Sequence, residues 1–265
     1  MNCIQLRLIV LGICLSQAST SYAQFRSFFK QGTWGITVIA GVSGQQAMGT
    51  LTKNFKEQVR AMNDTAGANT RLSGKVLPLV SYTAGVRFHK SFTGKIAAEA
   101  GLQLTQRGYH LREKSSTSDP DYQLDEQTLQ HVKVKATILE IPLAGLYSLS
   151  KKDQLELAIV LGIGIRSSVK TSVTYESTVI INGKPDAQWS IPTQTSKPDF
   201  KSYLQSFTPG ITAAYYRKLY KDLYAGAGVQ YATKYFSTPD GNAGGLCVLV
   251  NLKYTFDPSA ILKHF

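Results

Sequence analysis

Eight stretches of this chain alternate apolar and polar side chains at every second position, each over roughly ten residues, the length a strand needs to cross a bilayer. A period of two puts successive side chains on opposite faces of a strand, whereas an amphipathic helix would space its apolar residues three and four apart. In residues 79–90, Val80, Tyr82, Ala84, Val86 and Phe88 share one face, and Ser81, Thr83, Gly85, Arg87 and His89 the other. Residues 95–108 set Ile96, Ala98, Ala100, Leu102 and Leu104 against Lys95, Glu99, Gln103, Thr105 and Arg107. Residues 153–170 set Leu155, Leu157, Ile159, Leu161 and Ile163 against Glu156, Ala158, Gly162 and Arg166. Weaker repeats cover 33–43, 131–149, 207–217, 222–234 and 245–256, so the count is even. Within 131–149 the apolar phase passes from Val132, Val134, Ala136 and Ile138 to Leu143, Gly145 and Tyr147. A bulge is therefore expected near 139–142, where Pro142 has no N–H to give the ladder.

The connections alternate in length. Lys90–Gly94, Ser150–Lys152 and Lys218–Lys221 are short, while 44–78, 108–130, 171–206 and 235–244 are longer. Short turns on one rim and long loops on the other are what a membrane-crossing barrel shows. The pattern predicts an all-β fold, an eight-stranded antiparallel up-and-down transmembrane β-barrel, with the four longer loops outside the cell. A soluble exported lipocalin-like binding protein is the architectural rival, and it would turn its apolar face inward. Trp34, Phe88, Tyr109, Tyr147, Tyr215, Tyr224, Tyr231, Tyr235, Tyr254 and Phe256 fall near strand ends, where an interfacial girdle belongs.

Residues 1–23 read as a cleaved secretory signal peptide, with Arg7, an apolar core and Ser21-Tyr22-Ala23 before Gln24. Residues 24–265 then form one domain in the outer membrane. The apolar run is shorter than the roughly 20 residues of a spanning helix. Ile13 before Cys14 fits lipoprotein processing poorly, and removal of Cys3 and Cys14 leaves Cys247 without a disulfide partner. The formal charge of +12 drops by one with Arg7, and the basic residues form no cluster in sequence, so nucleic acid is not expected as a partner.

Eight strands close a ring only wide enough to be filled by side chains. The alternation assigns Arg87, Lys95, Glu99, Arg107, Lys133, Lys135, Glu156 and Arg166 to that interior, as a charge network. His89, Gln230, Lys234, Asn251 and Lys253 join them. Buried charges must be paired, so two readings stand: an ion-pair plug, or a surplus of positive charge that takes an anion or an acidic segment.

At this point the chain resembles the PorT-like outer-membrane β-barrel proteins of Bacteroidetes. The resembling pieces are VIAGVSG, YTAGVRFHKSFTGKIAAEAGLQLTQRGY, LEIPLAGLYSL, YAGAGVQYATKYF and LKYTF. The resemblance implies a barrel in the outer membrane. Some members are tied to type IX secretion, which adds an envelope or secretion-machinery association to the expectations.

Little in the chain suggests chemistry. Ser43 lacks the spacing of a nucleophile elbow, and His89, His110, His131 and His264 lack metal-ligand spacing, although His110 and His131 can meet at the base of the second loop. No enzyme activity, cofactor or metal is expected; a lipid-modifying enzyme is the alternative. The loops are the better place for function. Loop one carries Lys53, Lys56, Arg60, Arg71 and Lys75, and loop two carries Glu113, Asp119, Asp121, Asp125 and Glu126. The basic set either attracts the acidic loop or meets lipopolysaccharide phosphates. Outer-membrane lipid and envelope proteins are thus the expected partners. Leu51, Phe55, Val59 and Met62 mark one face of a short helix, and Asn182-Gly183 marks a hairpin.

Overall fold

The computed structural model describes residues 33–67 and 69–256. The expected signal peptide and cleavage site, with Cys3, Cys14 and His264, lie outside them. The described residues form β1 (Trp34–Met48), α1 (Thr50–Thr65), β2 (Thr70–Leu77), β3 (Leu79–Ser91), β4 (Ile96–Asp119), β5 (Leu124–Ser148), β6 (Asp153–Gly164), β7 (Lys170–Ile181), β8 (Lys184–Ser196), β9 (Phe207–Tyr220), β10 (Leu223–Thr238) and β11 (Gly241–Phe256). Among them no helix is long and apolar enough to cross a membrane.

Eight strands close on themselves. Each of β1, β3, β4, β5, β6, β9, β10 and β11 pairs antiparallel with its neighbours, and β1 with β11 completes the ring. Three further strands correct the expected count of eight: β2 pairs with the far half of β4, β7 with the far half of β5, and β8 with β7. The second loop, 108–130, is thus no loop, because β4 and β5 run on as a long paired arm that ends at Asp119–Leu124. At the β7–β8 hairpin Asn182 and Gly183 both take positive φ, 50° and 74°, the conformation that a tight two-residue turn needs and that Asn and Gly tolerate.

The outside of the ring is apolar. Leu102, Ile159 and Val248 are more than half exposed, and so is Leu157. A calycin would bury these side chains. Trp34, Phe88, Tyr147, Tyr215 and Tyr254 ring the short-turn end, whereas Tyr109 and Tyr235 correct the expected girdle by pointing inward, 2% and 0% exposed.

The inner face changes chemistry along its length. On β5, Pro142 and Glu140 point inward, and so do Ile138, Ala136 and Val134 above them, all on one side of the pleat. The pairing of β5 with both β4 and β6 keeps constant register through Pro142, so the bulge expected near 139–142 is absent. The backbone does not switch faces there. Beyond the hydrocarbon belt the outside is wet, so the apolar side chains change to the inside. There they meet Tyr109, Leu111, Leu204 and Phe236, with Leu51 of α1 packed on the same cluster. A register shift does occur in β10, between Ala232 and Phe236, and it turns Tyr235 in and Lys234 out.

Candidate functional site

The interior is filled in layers from the short-turn end upward. In the lowest layer Glu99 accepts from Thr37 Oγ1 at 3.1 Å and lies 3.1 Å from His89 Nδ1. Above it, Arg87 donates to Glu156 at 2.9 Å and reaches Glu99 at 3.4 Å. Lys253 Nζ sits 2.7 Å from Glu99 and 3.1 Å from Glu156, beneath the Tyr216 ring. Arg87 also donates to Gln103 Oε1 at 2.9 Å, and the Gln103 amide donates onward to Glu140 at 2.7 Å. Glu140 then accepts from Arg107 Nη2 at 2.7 Å, from Thr105 at 2.8 Å and from Gln230 at 3.2 Å. Arg107 Nη1 lies 2.6 Å from Cys247 Sγ. Tyr235, bonded to the Gly244 carbonyl, closes this polar stack under the apolar cap.

This connected network holds three cations, Arg87, Arg107 and Lys253, against three carboxylates, Glu99, Glu140 and Glu156. Its charge balances, as burial in low dielectric requires. Of the side chains assigned to the interior by alternation, Arg87, Glu99, Arg107 and Glu156 lie in it, as do Gln230, Asn251 and Lys253. Five assignments need correction. Lys133 and Lys135 point outward, because the inward face of β5 carries Val134 and Ala136 at that height. Arg166 is exposed in a short 3-10 turn after β6 ends at Gly164. Lys95 is exposed in the β3–β4 turn, at the rim. Lys234 faces outward as well, through the β10 shift. Glu140 was missed because its neighbours Leu139 and Ile141 obscure the phase. The signal that remained was a lone carboxylate four residues from Ala144, on the same side of the pleat.

The five basic loop residues do not form one patch. Lys53, Lys56 and Arg60 are exposed on α1, and Lys53 pairs with Glu57 at 3.7 Å. Leu51 and Val59 of α1 are buried while Met62 is exposed, and the helix covers the inner side of β2 near Gly74. Arg71 and Lys75 lie on the other side of β2. The expected attraction between loops one and two takes a different form. β2 and β4 join through their backbones, with Lys75 directly opposite Arg112.

His110 Nε2 lies 3.0 Å from His131 Nδ1 on the outward face of the arm. Burial, and then His131, Lys133 and Arg112, hold the His110 imidazole below its ordinary pKa. Ser43 is buried on β1. Among the described residues no group of three or more His, Cys, Asp or Glu is placed to hold a metal ion.

A closed antiparallel ring, greasy outside and filled with paired charges inside, defines a protein that crosses a membrane with strands. The family model described as outer membrane protein beta-barrel domain matches residues 17–236, and the chain belongs to that family. It is therefore a protein of the outer membrane. A search of curated proteins returned no match. Among solved structures, the chain is similar to Ail, the attachment invasion locus protein of Yersinia pestis, at 8% identity and a TM-score of 0.30, over 84% of this chain and 99% of that one. It is also similar to Neisserial surface protein A, at 9% identity and 0.34, over 83% and 97%. The translocator domain of the autotransporter NalP from Neisseria meningitidis matches at 12% identity and 0.25, over 91% and 98%.

Proposed function

We propose that this chain is a closed barrel that works through its extracellular arm and helix. It acts as a surface scaffold for outer-membrane lipid, lipopolysaccharide included, and for partner proteins of the envelope. One observation carries the reading: the interior is occupied by charge-balanced side chains from rim to cap, which leaves the surface beyond the membrane as the place for contact. Above the ring, β2, the arm of β4 and β5, and the β7–β8 hairpin build a sheet that exposes Tyr122 at the β4–β5 turn and Trp189 within β8. The pieces that resemble PorT-like proteins extend the proposal to an envelope or secretion-machinery association. No chemical step is part of it, and the protein is expected to be inert toward lipid A and phospholipid in detergent.

Planar-bilayer recording tests the closed interior. The folded protein is expected to give no stepwise current, and a stable conductance overturns the reading. A photo-crosslinking residue at Trp189 or Tyr122 then reports on the scaffold role, since a scaffold yields a discrete adduct in intact envelopes.

A further inference from the structure

Cross-strand neighbours on the outward face of the arm are basic. Lys75 on β2 stands directly opposite Arg112 on β4, and Arg112 opposite His131 on β5. One row nearer the membrane His110 stands opposite Lys133, and one row lower still Lys135 stands opposite Lys170 of β7. Directly opposed like charges destabilise a sheet. Among the described residues none of the five cations Lys75, Arg112, Lys133, Lys135 and Lys170 has a carboxylate within 4.0 Å. The acidic side chains lie elsewhere or are engaged: Glu113 and Glu126 point to the other side, Glu126 accepting from Ser177, Asp119 and Asp125 flank the turn, and Glu176 of β7, two rows beyond Ser172 on the cations' face, accepts from Thr193. A row of Ser172 and Thr174 on β7 borders the cations with hydroxyls.

The height of this stripe is set by the strands that carry it. Leu104 pairs with Leu139 at the top of the apolar belt. Lys135 stands four residues beyond Leu139, about 13 Å along the strand at about 3.3 Å per residue. With the strand tilt of about 40° usual in such barrels, that is about 10 Å above the belt. The phosphates of the outer leaflet occupy that level, and they are the anions that a barrel in this membrane cannot avoid.

We infer that the outward face of the arm, centred on Arg112, Lys133 and Lys170, is a binding site for the phosphate groups of outer-leaflet lipopolysaccharide. This rests on the outer-membrane reading and names the surface that meets the lipid. The site is not the cationic side of α1, which stands on the inner side of β2. Phosphate oxygens accept hydrogen bonds from guanidinium and ammonium groups and neutralise the opposed pairs Lys75–Arg112 and Lys135–Lys170.

The test compares two triple variants of the full chain, folded in neutral detergent and in vesicles containing bisphosphorylated lipid A. Arg112→Gln/Lys133→Gln/Lys170→Gln neutralises the stripe, and Lys53→Gln/Lys56→Gln/Arg60→Gln neutralises α1 as a control. The stripe variant is expected to lose lipid A capture by about tenfold or more, the size of one or two charged hydrogen bonds, while the α1 variant keeps it. In detergent without lipid A the stripe variant should unfold at the same temperature as the wild type or higher, because it has lost only repulsion. A merely structural role would lower it. Equal capture of dephosphorylated lipid A, equal loss in both variants, or full displacement by low-millimolar inorganic phosphate each overturns the inference. Failure of the wild type to enter vesicles with a heat-shifted gel band overturns the membrane reading itself, so the two failures are distinct.

Discussion

Arg107 holds one oxygen of Glu140 with two donors, Nη2 at 2.7 Å and Nε at 3.2 Å, and neither side chain reaches solvent. Thr105 and Gln103 occupy the other oxygen, so the carboxylate is saturated. The pair joins the lower polar layers to the apolar cap, which makes it the boundary between the two chemistries of the interior.

Replacing Glu140 with Ala leaves the Arg107 charge buried without its partner, a change expected to cost about 3–5 kcal/mol. Urea unfolding in detergent should show that loss for Glu140→Ala. The double variant Arg107→Met/Glu140→Leu, which removes both charges and fills the space, should recover most of it. A Glu140→Ala protein as stable as the wild type would mean that the pair is not closed to water.

Ile159 and Trp189 are both well exposed, yet they face different media. Arginine in place of Ile159, in the middle of the apolar belt, should cost about 2–4 kcal/mol, because its charge enters hydrocarbon. The same substitution at Trp189, on the outer hairpin, should cost little, as ordinary surface changes do. Equilibrium folding into vesicles measures both. Equal effects would mean that the belt is wetted.

How much of this was readable from residues alone depended on the medium each strand meets. Alternation is strong in β3 and β6, where one face touches hydrocarbon, and there the apolar set is the exposed set. It misleads in β5, since that strand leaves the belt and its inward face passes from Glu140 to Ile138 without any change in the backbone. The same cause sent Lys133 and Lys135 to the wrong side. β2 and β8 carry no hydrocarbon face, so TRLSGKVL and KPDAQWSIPTQTS gave no period strong enough to mark a strand, although Asn182-Gly183 marked the hairpin. The cationic stripe was out of reach for another reason. Its members lie on β2, β4, β5 and β7, and only the register brings Lys75 to Arg112 or Lys135 to Lys170.

α1 caps the interior through one side chain above all. Leu51 packs with Phe236 and Tyr109 in the apolar cap and is 5% exposed. Leu51→Ala should therefore destabilise by about 2–5 kcal/mol, with the upper end reached if the cap cannot collapse into the space. Met62→Ala, at the exposed end of the same helix, serves as the control and should be near neutral. Circular dichroism melts in detergent compare the two.

His110 gives the arm a pH dependence with a fixed sign. Burial is the largest reason that its imidazole is held below the ordinary value of 6.5, followed by the neighbouring His131, Lys133 and Arg112. The unfolded arm therefore takes up a proton at a higher pH than the folded arm does. Stability is complete above pH 6.5 and is lost as pH falls through that value toward the lower folded one. The loss should be local, so amide exchange in β2 and in the paired residues of β4 should quicken at mildly acidic pH while the ring strands stay protected. By NMR in detergent, His110 should titrate below 6.5, and Lys133→Gln should raise its midpoint by removing one neighbouring cation. A midpoint above 6.5 in lipid-free protein would reverse the sign and show that an acidic group, not the basic stripe, controls the ring.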